Sequence, residues 1–541
     1  MDGLSIPYTR VPNSSQLLLD YLYRFEQVAA FYTGSPFNPA SYQDLANKLK
    51  SSYQDRRALV AILKRQNQAF GSAESTFANI QRLSEPGTFA VVTGQQVGLL
   101  SGPAFTLYKA LTAVHLAQAL AEQGLPSVPV FWLATEDHDL EEVAQAATFD
   151  EEYALISLAD PGERPAPRSP VGVVKLSPKI SQALDRLEEA LPPGEPRDVL
   201  LGDLRACYQP GATWAEAFGR LMARLFGRWG VVLLDPLDDA VRRLSAPAYQ
   251  QALVQAANLR GRLLARSQEL VRAGYHAQVH VAEDSTLVFV TREGNRLPLR
   301  QREGEFFLDD IEKISLEELT TDPGRSHLSL SSNVLLRPVV QDLLLPTLAY
   351  VAGPSELTYL AQAHALYSAF GRPMPVVFPR AGFTLLDRRI QRLLEKYKLS
   401  VEDVWQGEEN VRHKVAAAGP AEGWTERFDQ SEQELAPLLG RLRQDLETLD
   451  PTLLDTLKNV EEKMKYQMER LRGKVSRAAL ERFDFLARHQ QLLLRFLLPA
   501  KNLQERQVSG VYFLGRAGYE LLDRILGRIQ TDSSAHQTLV Y

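Results

Sequence analysis

Two stretches decide the fold: Phe89-Ala-Val-Val-Thr-Gly-Gln-Gln-Val-Gly-Leu-Leu-Ser-Gly-Pro103 and Val128-Pro-Val-Phe-Trp-Leu-Ala-Thr-Glu-Asp-His-Asp139. Residues 89–94 form a short apolar run ended by glycine, which reads as a buried strand. Ser101-Gly-Pro103 is a helix start, with proline placed early where its missing N–H costs nothing. Residues 104–121 have the apolar density of a helix packed on a sheet, and residues 128–134 read as a second strand. Strand, helix, strand over about 45 residues is a βαβ unit, normally right-handed and parallel.

Outward from this unit, residues 15–80 read as mainly helical, with segments 20–30 and 42–70 separated by Pro36 and Pro39. Downstream, 161–172 is a Pro-, Gly- and Arg-rich loop, 180–190 and 214–227 read as helices, 231–235 as a buried strand, and 249–271 as one long helix. His276, Gln278 and His280 then alternate with Ala277, Val279 and Val281, so 274–299 reads as hairpin material turning at Gly294-Asn-Arg296. Parallel-strand character returns at 345–351 and 376–379. The expected class is α/β, a discontinuous core over 1–384 with a connecting segment at 155–200 and a small α+β insertion at 274–317. Binding residues would sit beyond the C-terminal ends of the strands. From Leu435 through Leu442, Leu449, Leu457, Met464 and Leu471 to Val475, apolar residues recur at threes and fours, a heptad-like seam. Asp450-Pro451 interrupts it as a cap and restart. An antiparallel helical hairpin or coiled-coil arm is therefore expected over 385–505, with 506–541 a C-terminal helix packed on the core.

Composition narrows the function classes. A chain of 541 residues allows two to four units at roughly 150 residues each, large enough to bury a core without disulfides. The formal net charge of −6 makes no electrostatic case for nucleic acid. One cysteine, Cys207, cannot form an internal disulfide and argues against Cys-rich metal sites. The first ten residues lack a basic region followed by an apolar core, and the most apolar runs, 128–134 and 491–498, are too short to span a bilayer. A soluble cytoplasmic protein with no membrane partner is expected.

Several constellations could carry chemistry. Thr93, Gly94, Gln95 and Gln96, with Ser101 and Gly102, lie between a strand and a helix; they read as a ligand loop or as a structural turn, and match neither a dinucleotide fingerprint nor a P-loop. Glu136, Asp137, His138 and Asp139 follow a buried strand, where ionisable groups are costly unless they reach solvent or ligand. His138 can serve as acid, base or donor and Asp137 can orient it; hard-metal ligation and a solvated helix cap are the rivals. Gly353, Ser355 and Glu356 form a second polar loop opposite the first, with Tyr359 about a turn beyond; Asn333 and Arg337 precede it, Arg337 being a candidate for a carboxylate or phosphate. His276 and His280 as a metal pair, and Cys207 as a nucleophile, are weaker candidates, and no dedicated metal site is expected.

In order along the chain, residues 92–103, 131–139, 350–356, Pro379-Arg380 and Leu503-Gln-Glu-Arg506 resemble the bacterial BshC family, assigned as the cysteine-adding ligases of bacillithiol biosynthesis. Ser355 stands where that family more often carries glycine. The resemblance implies a Rossmann-like core of nucleotidylyl-transferase type and a C-terminal coiled coil that forms a homodimer. It also implies a reaction, L-cysteine joined through an amide to the amine of glucosaminyl-malate, with ATP, and Mg2+ alongside it, as the expected activating cosubstrate. On this basis His138 and Asp137 are expected to be catalytic. Thr93, Gly94, Gln95, Gln96, Ser101 and Gly102 are expected to lie along the nucleotide. Glu136, Asp139, Asn333, Arg337, Gly353, Ser355, Glu356 and Arg380 are expected to bind substrate. Class-I synthetases carry a histidine motif after the first strand, where this chain has Gln95 and Gln96, so their roles do not transfer directly. The alternative is a nucleotide-binding coiled-coil scaffold of a bacillithiol-biosynthesis complex with little catalysis of its own.

Overall fold

The central layer is a five-stranded sheet whose strands are nearly all apolar because both faces are covered. Its strands are β1 (Phe89–Gln96), β2 (Ser127–Ala134), β3 (Val232–Leu234), β4 (Thr347–Ala352) and β5 (Val376–Pro379). They lie in the order β5-β4-β1-β2-β3, every neighbouring pair parallel. The structure, a computed structural model, describes residues 3–51, 56–320, 328–417 and 423–541. Helix α1 (Phe105–Glu122) crosses from β1 to β2 and is buried around most of its circumference, as the apolar density of that segment predicts. β1 runs two residues further than expected: Gln95 and Gln96 pair in register with Leu133 and Ala134 and belong to the strand.

The segment expected as one helix over 249–271 is two helices, α2 (Asp239–Val254) and α3 (Ala256–Arg272), joined at Gln255, whose backbone is non-helical. Likewise 42–70 divides into helices Pro39–Ser51 and Arg57–Phe70, with positions 52–55 outside the described residues. Segment 20–30 is helical only through Gln16–Tyr23 and continues as 3-10 turns. The insertion is a five-stranded antiparallel sheet that begins at Ser285, not at 274, and closes with strand Ser329–Ser332, beyond the expected end at 317. The alternating residues 276–281 are not a strand. The N–H and carbonyl of Val279 are both bonded by the side chain of Gln362, which substitutes for a strand partner.

Helices α4 (Arg337–Leu344) and α5 (Pro354–Tyr367) flank β4. The arm contains the expected hairpin, α6 (Trp424–Leu449) and α7 (Leu454–Arg482), with Asp450 capping the turn through the Thr452 N–H. Ion pairs Arg443–Glu461 (2.7 Å) and Arg472–Asp429 (2.8 Å) set the two helices antiparallel. After helices Gly510–Ala517 and Glu520–Leu526 the chain ends in an unexpected strand, His536–Val540. It pairs parallel with Gly382–Leu386 and antiparallel with Ser5–Ile6. The boundary drawn at 384 therefore falls inside a strand. Among the described residues no helix is long and apolar enough to cross a membrane.

Candidate functional site

The sheet order reverses between β1 and β4, and in open parallel sheets the crevice beyond the C-terminal strand ends at such a reversal is where ligands bind. A cleft of about 670 Å³ occupies this point. β1 supplies Gly94, Gln95 and Gln96; the loop after β2 supplies Glu136, Asp137 and His138; the loop after β4 supplies Gly353, Ser355 and Glu356. Asn333, Arg337 and Arg380 also line it. Most of the expected site residues are thus brought together from segments more than 200 positions apart.

Thr93, Ser101, Gly102 and Asp139 are not in the cleft wall. Thr93 is buried and donates its hydroxyl to the Val351 carbonyl on β4. Asp139 caps the short helix Leu140–Val143 by accepting from the Glu142 N–H. Ser101 and Gly102 are buried beneath the C-terminal segment: the Ala104 N–H donates to Val508 O, the Gly510 N–H to Gly102 O, and Ser509 Oγ to Leu100 O. Leu100, Ser101 and Gly102 are all left-handed, a strained run that persists because residues 508–510 fill its concavity. The end of the loop expected to lie along the nucleotide is therefore the seat of the C-terminal segment. Gly94 also has a packing reason to be glycine, since a Cβ there would come within 2.8 Å of the Trp132 carbonyl oxygen.

Lys109, from the first turns of α1, was not expected at the site. It is buried, and its ammonium is shared among the Gly94 carbonyl, Gln95 Oε1 (3.2 Å) and the Glu356 carboxylate. A lone lysine inside an apolar helix was the available signal, because burying an unpaired ammonium is prohibitive. Glu356 also accepts from Tyr350 Oη (2.8 Å) and the Gly353 N–H (2.7 Å). Burial pushes its carboxyl up, but Lys109 and these donors outweigh burial and hold it below the usual carboxylate range.

Arg337 donates to Gln341, Tyr350 and Tyr359. Arg380 forms a two-pronged, fully buried pair with Glu505 at 3.0 and 2.6 Å. Both arginines expected to hold substrate carboxylates thus have terminal nitrogens already committed. Of the five Lys and Arg side chains lining the cleft, Arg506 alone makes no hydrogen bond or ion pair with the described residues. It comes from the Leu503-Gln-Glu-Arg506 motif.

The loop after β2 is ordered by Asp137, which accepts from the His138 N–H (2.7 Å), the Asp139 N–H (3.4 Å) and Gln96 Nε2 (2.8 Å). Burial pushes Asp137 up, yet Gln96 and Arg296 hold it below its ordinary value. Arg296, read from sequence only as a turn residue, reaches from the insertion. Its guanidinium lies 3.8 Å from the Phe289 ring centroid and donates to Ser331 Oγ, to Ser332 O and to His138 Nδ1 at 3.2 Å. Arginine has only donors, so Nδ1 must accept and the neutral ring carries its proton on Nε2. Burial and then Arg296 lower the His138 pKa, which keeps the ring neutral. Glu136 is 8% exposed, and burial, against the pull of Arg296 and Arg242, raises its carboxyl to about 7.

Cys207 ends helix Glu195–Cys207, outside the cleft wall, and burial pushes its thiol up to about 11, so it is a core residue rather than a nucleophile. His276 and His280 do not line the cleft. Among the described residues no group of three or more His, Cys, Asp and Glu side chains is arranged to hold a metal ion.

Residues 2–381 match the family model described as bacillithiol biosynthesis BshC, N-terminal Rossmann-like domain, and residues 383–541 match the BshC C-terminal coiled-coil domain. The chain is 38% identical to the BshC protein of Solibacter usitatus over 98% of both chains. It is 37% identical to that of Koribacter versatilis over 96% of both. It is 34% identical to that of Salinibacter ruber over 97% of this chain and 96% of the other. Each of these relatives carries the name "putative cysteine ligase BshC".

Proposed function

The chain belongs to the BshC family of bacillithiol biosynthesis, and from that premise we propose that its cleft joins L-cysteine to the amine of glucosaminyl-malate with consumption of ATP. The observation that carries this reading is the convergence of committed and uncommitted polar groups at the switch point of a parallel sheet. A carboxylate and an amine do not condense in water without activation, and ATP supplies it by converting the cysteine carboxylate into a mixed anhydride with phosphate. Mg2+ would accompany the phosphates, with their oxygens and water as its ligands. The residues present fit such a polyanion. Arg506 is an uncommitted guanidinium, and Ser355 stands in the first turn of α5, where helix N–H groups and dipole favour anions. Gly94, Gln95 and Gln96 would lie along the nucleotide at the strand edge.

The remaining roles follow from donor bookkeeping at each atom. His138, neutral with its proton on Nε2, donates toward oxygen charge that builds on the leaving phosphate. Asp137 positions that ring through the backbone of its own loop. Lys109, Glu356 and Arg337 form a hydrogen-bonded scaffold in the wall of the cleft, Lys109 and Glu356 held by each other and Arg337 by Gln341, Tyr350 and Tyr359. Asn333 accepts the N–H groups of Leu335 and Leu336 and so has its amide donors left for the sugar-malate. The apolar residues left exposed on the hairpin, Leu438, Leu442, Leu471 and Val460 among them, support a homodimer through this arm. The purified protein incubated with glucosaminyl-malate, cysteine and ATP, with mass detection of thiol product and nucleotide, tests the reading. Absence of bacillithiol across nucleotides and reductants refutes it.

A further inference from the structure

A buried carboxylate in a cleft is tolerable when the protein satisfies it, or when it is neutral until called on. The acidic side chains here divide on that basis. Asp137 accepts from Gln96 and two backbone N–H groups, Glu356 from Lys109, Tyr350 and Gly353, and Glu142 from Gln96. Glu505, one residue from the lining Arg506, is held by Arg380 and the Phe383 N–H. Glu136 lines the cleft and accepts no hydrogen bond or ion pair from any described residue. The groups facing it are Arg296 from the insertion, Arg242 and Tyr249 from α2, Arg337 from α4 and Asp235 beyond β3. None of the three arginines closes to ion-pair distance. His138, expected as acid, base or donor, has its one acceptor nitrogen occupied by Arg296, which leaves it the donor role.

Resting on the ligase reading above, we infer that Glu136 is the general base that takes the proton from the acceptor amine as it attacks the activated cysteine carboxyl. The nitrogen–carbon bond forms, the bond from the carbonyl carbon to the phosphate oxygen breaks, and its electron pair leaves with the phosphate. The proton shed by nitrogen passes to the Glu136 carboxylate and on to solvent. His138 Nε2–H remains available to the departing oxygen. The carboxyl titrates at about 7 because burial outweighs its distant cations, so both of its forms are accessible near neutrality.

The test compares full-length parent, Glu136→Gln and Glu136→Asp in steady-state amide formation across about pH 5.5–9. The parent's kcat is expected to rise with pH to a plateau with its midpoint near 7. E136Q is expected to lose kcat by about 10²–10⁴-fold and to lose that limb, with both amine and cysteine KM values within about threefold. E136D keeps the limb at reduced rate, and it carries the test if the glutamine variant does not fold. The inference is overturned if E136Q keeps both rate and limb, if its loss lies in KM alone, as for an ammonium holder, or if it only raises the Mg2+ requirement, as for a metal ligand. Product from the parent with E136Q unaffected sinks this inference alone; no product from the parent sinks the ligase reading and this inference with it.

Discussion

Replacing Glu505 by glutamine should cost more stability than any surface ion pair in the molecule. Its carboxylate receives two guanidinium bonds from Arg380 and the Phe383 N–H, and both charged side chains are 4% exposed. Removing one charge leaves a buried guanidinium without a counter-ion, which costs about 3–5 kcal/mol. That is a large share of the ~5–15 kcal/mol by which whole domains are stable. The pair joins the segment after β5 to the motif at 503–506, so the loss should appear first as faster amide exchange in strands Gly382–Leu386 and His536–Val540. Urea unfolding then gives the global figure. Replacing both partners, Arg380→Met with Glu505→Leu, should recover most of the loss, because the desolvated charges vanish together. The pH dependence has a definite sign. Burial raises the Glu505 carboxyl, but Arg380 pulls it further down, so its net pKa is depressed. Its contribution is present above the ordinary carboxylate value of 4.5 and fades as pH falls through the depressed value. A destabilisation by E505Q of less than about 1 kcal/mol at pH 7, or one that does not shrink on acidification, would refute the reasoning.

Arg506→Ala should raise KM for one anionic substrate by about tenfold or more with smaller change in kcat, and Arg506→Lys should restore part of it; separate titrations of ATP and glucosaminyl-malate show which anion it holds. E136Q should be more thermostable than the parent above pH 7 and equal to it below pH 4.5. A carboxyl raised to about 7 withdraws stability as pH rises between those values, roughly 3 kcal/mol in total, and melting curves at pH 4 and pH 8 check the sign. Cys207 should resist iodoacetamide at pH 8 in the folded protein and react only on denaturation, read by intact mass. Light scattering should give twice the chain mass, falling to one chain when Leu442 and Leu471, exposed on the two helices of the hairpin, are changed to glutamate with helicity kept. Leu457, by contrast, is buried, and its replacement tests the fold of the arm rather than its partner.

The parallel sheet, the site loops and the helical hairpin were legible in the chain because each depends on local pattern. A strand buried on both faces must be continuously apolar, a polar loop must follow it, and a two-helix seam must repeat at threes and fours. Where a pattern has two physical solutions, only the fold chose. The alternation at 276–281 could have paired with a strand but is satisfied by the side chain of Gln362. The glycine loop at 98–102 could have faced a ligand but holds the C-terminal segment, with Ser509 bonded to Leu100 from 409 residues away. The commitments of the charged groups were equally hidden. Arg380 meets Glu505 from 125 residues away, and Arg296 meets His138 from 158. Sequence determines which residues can bear charge at a strand end. Only tertiary structure decides which of them are already neutralised, and among the described residues it brings no hydrogen-bond or ion-pair partner to the side chains of Arg506 and Glu136 at this cleft.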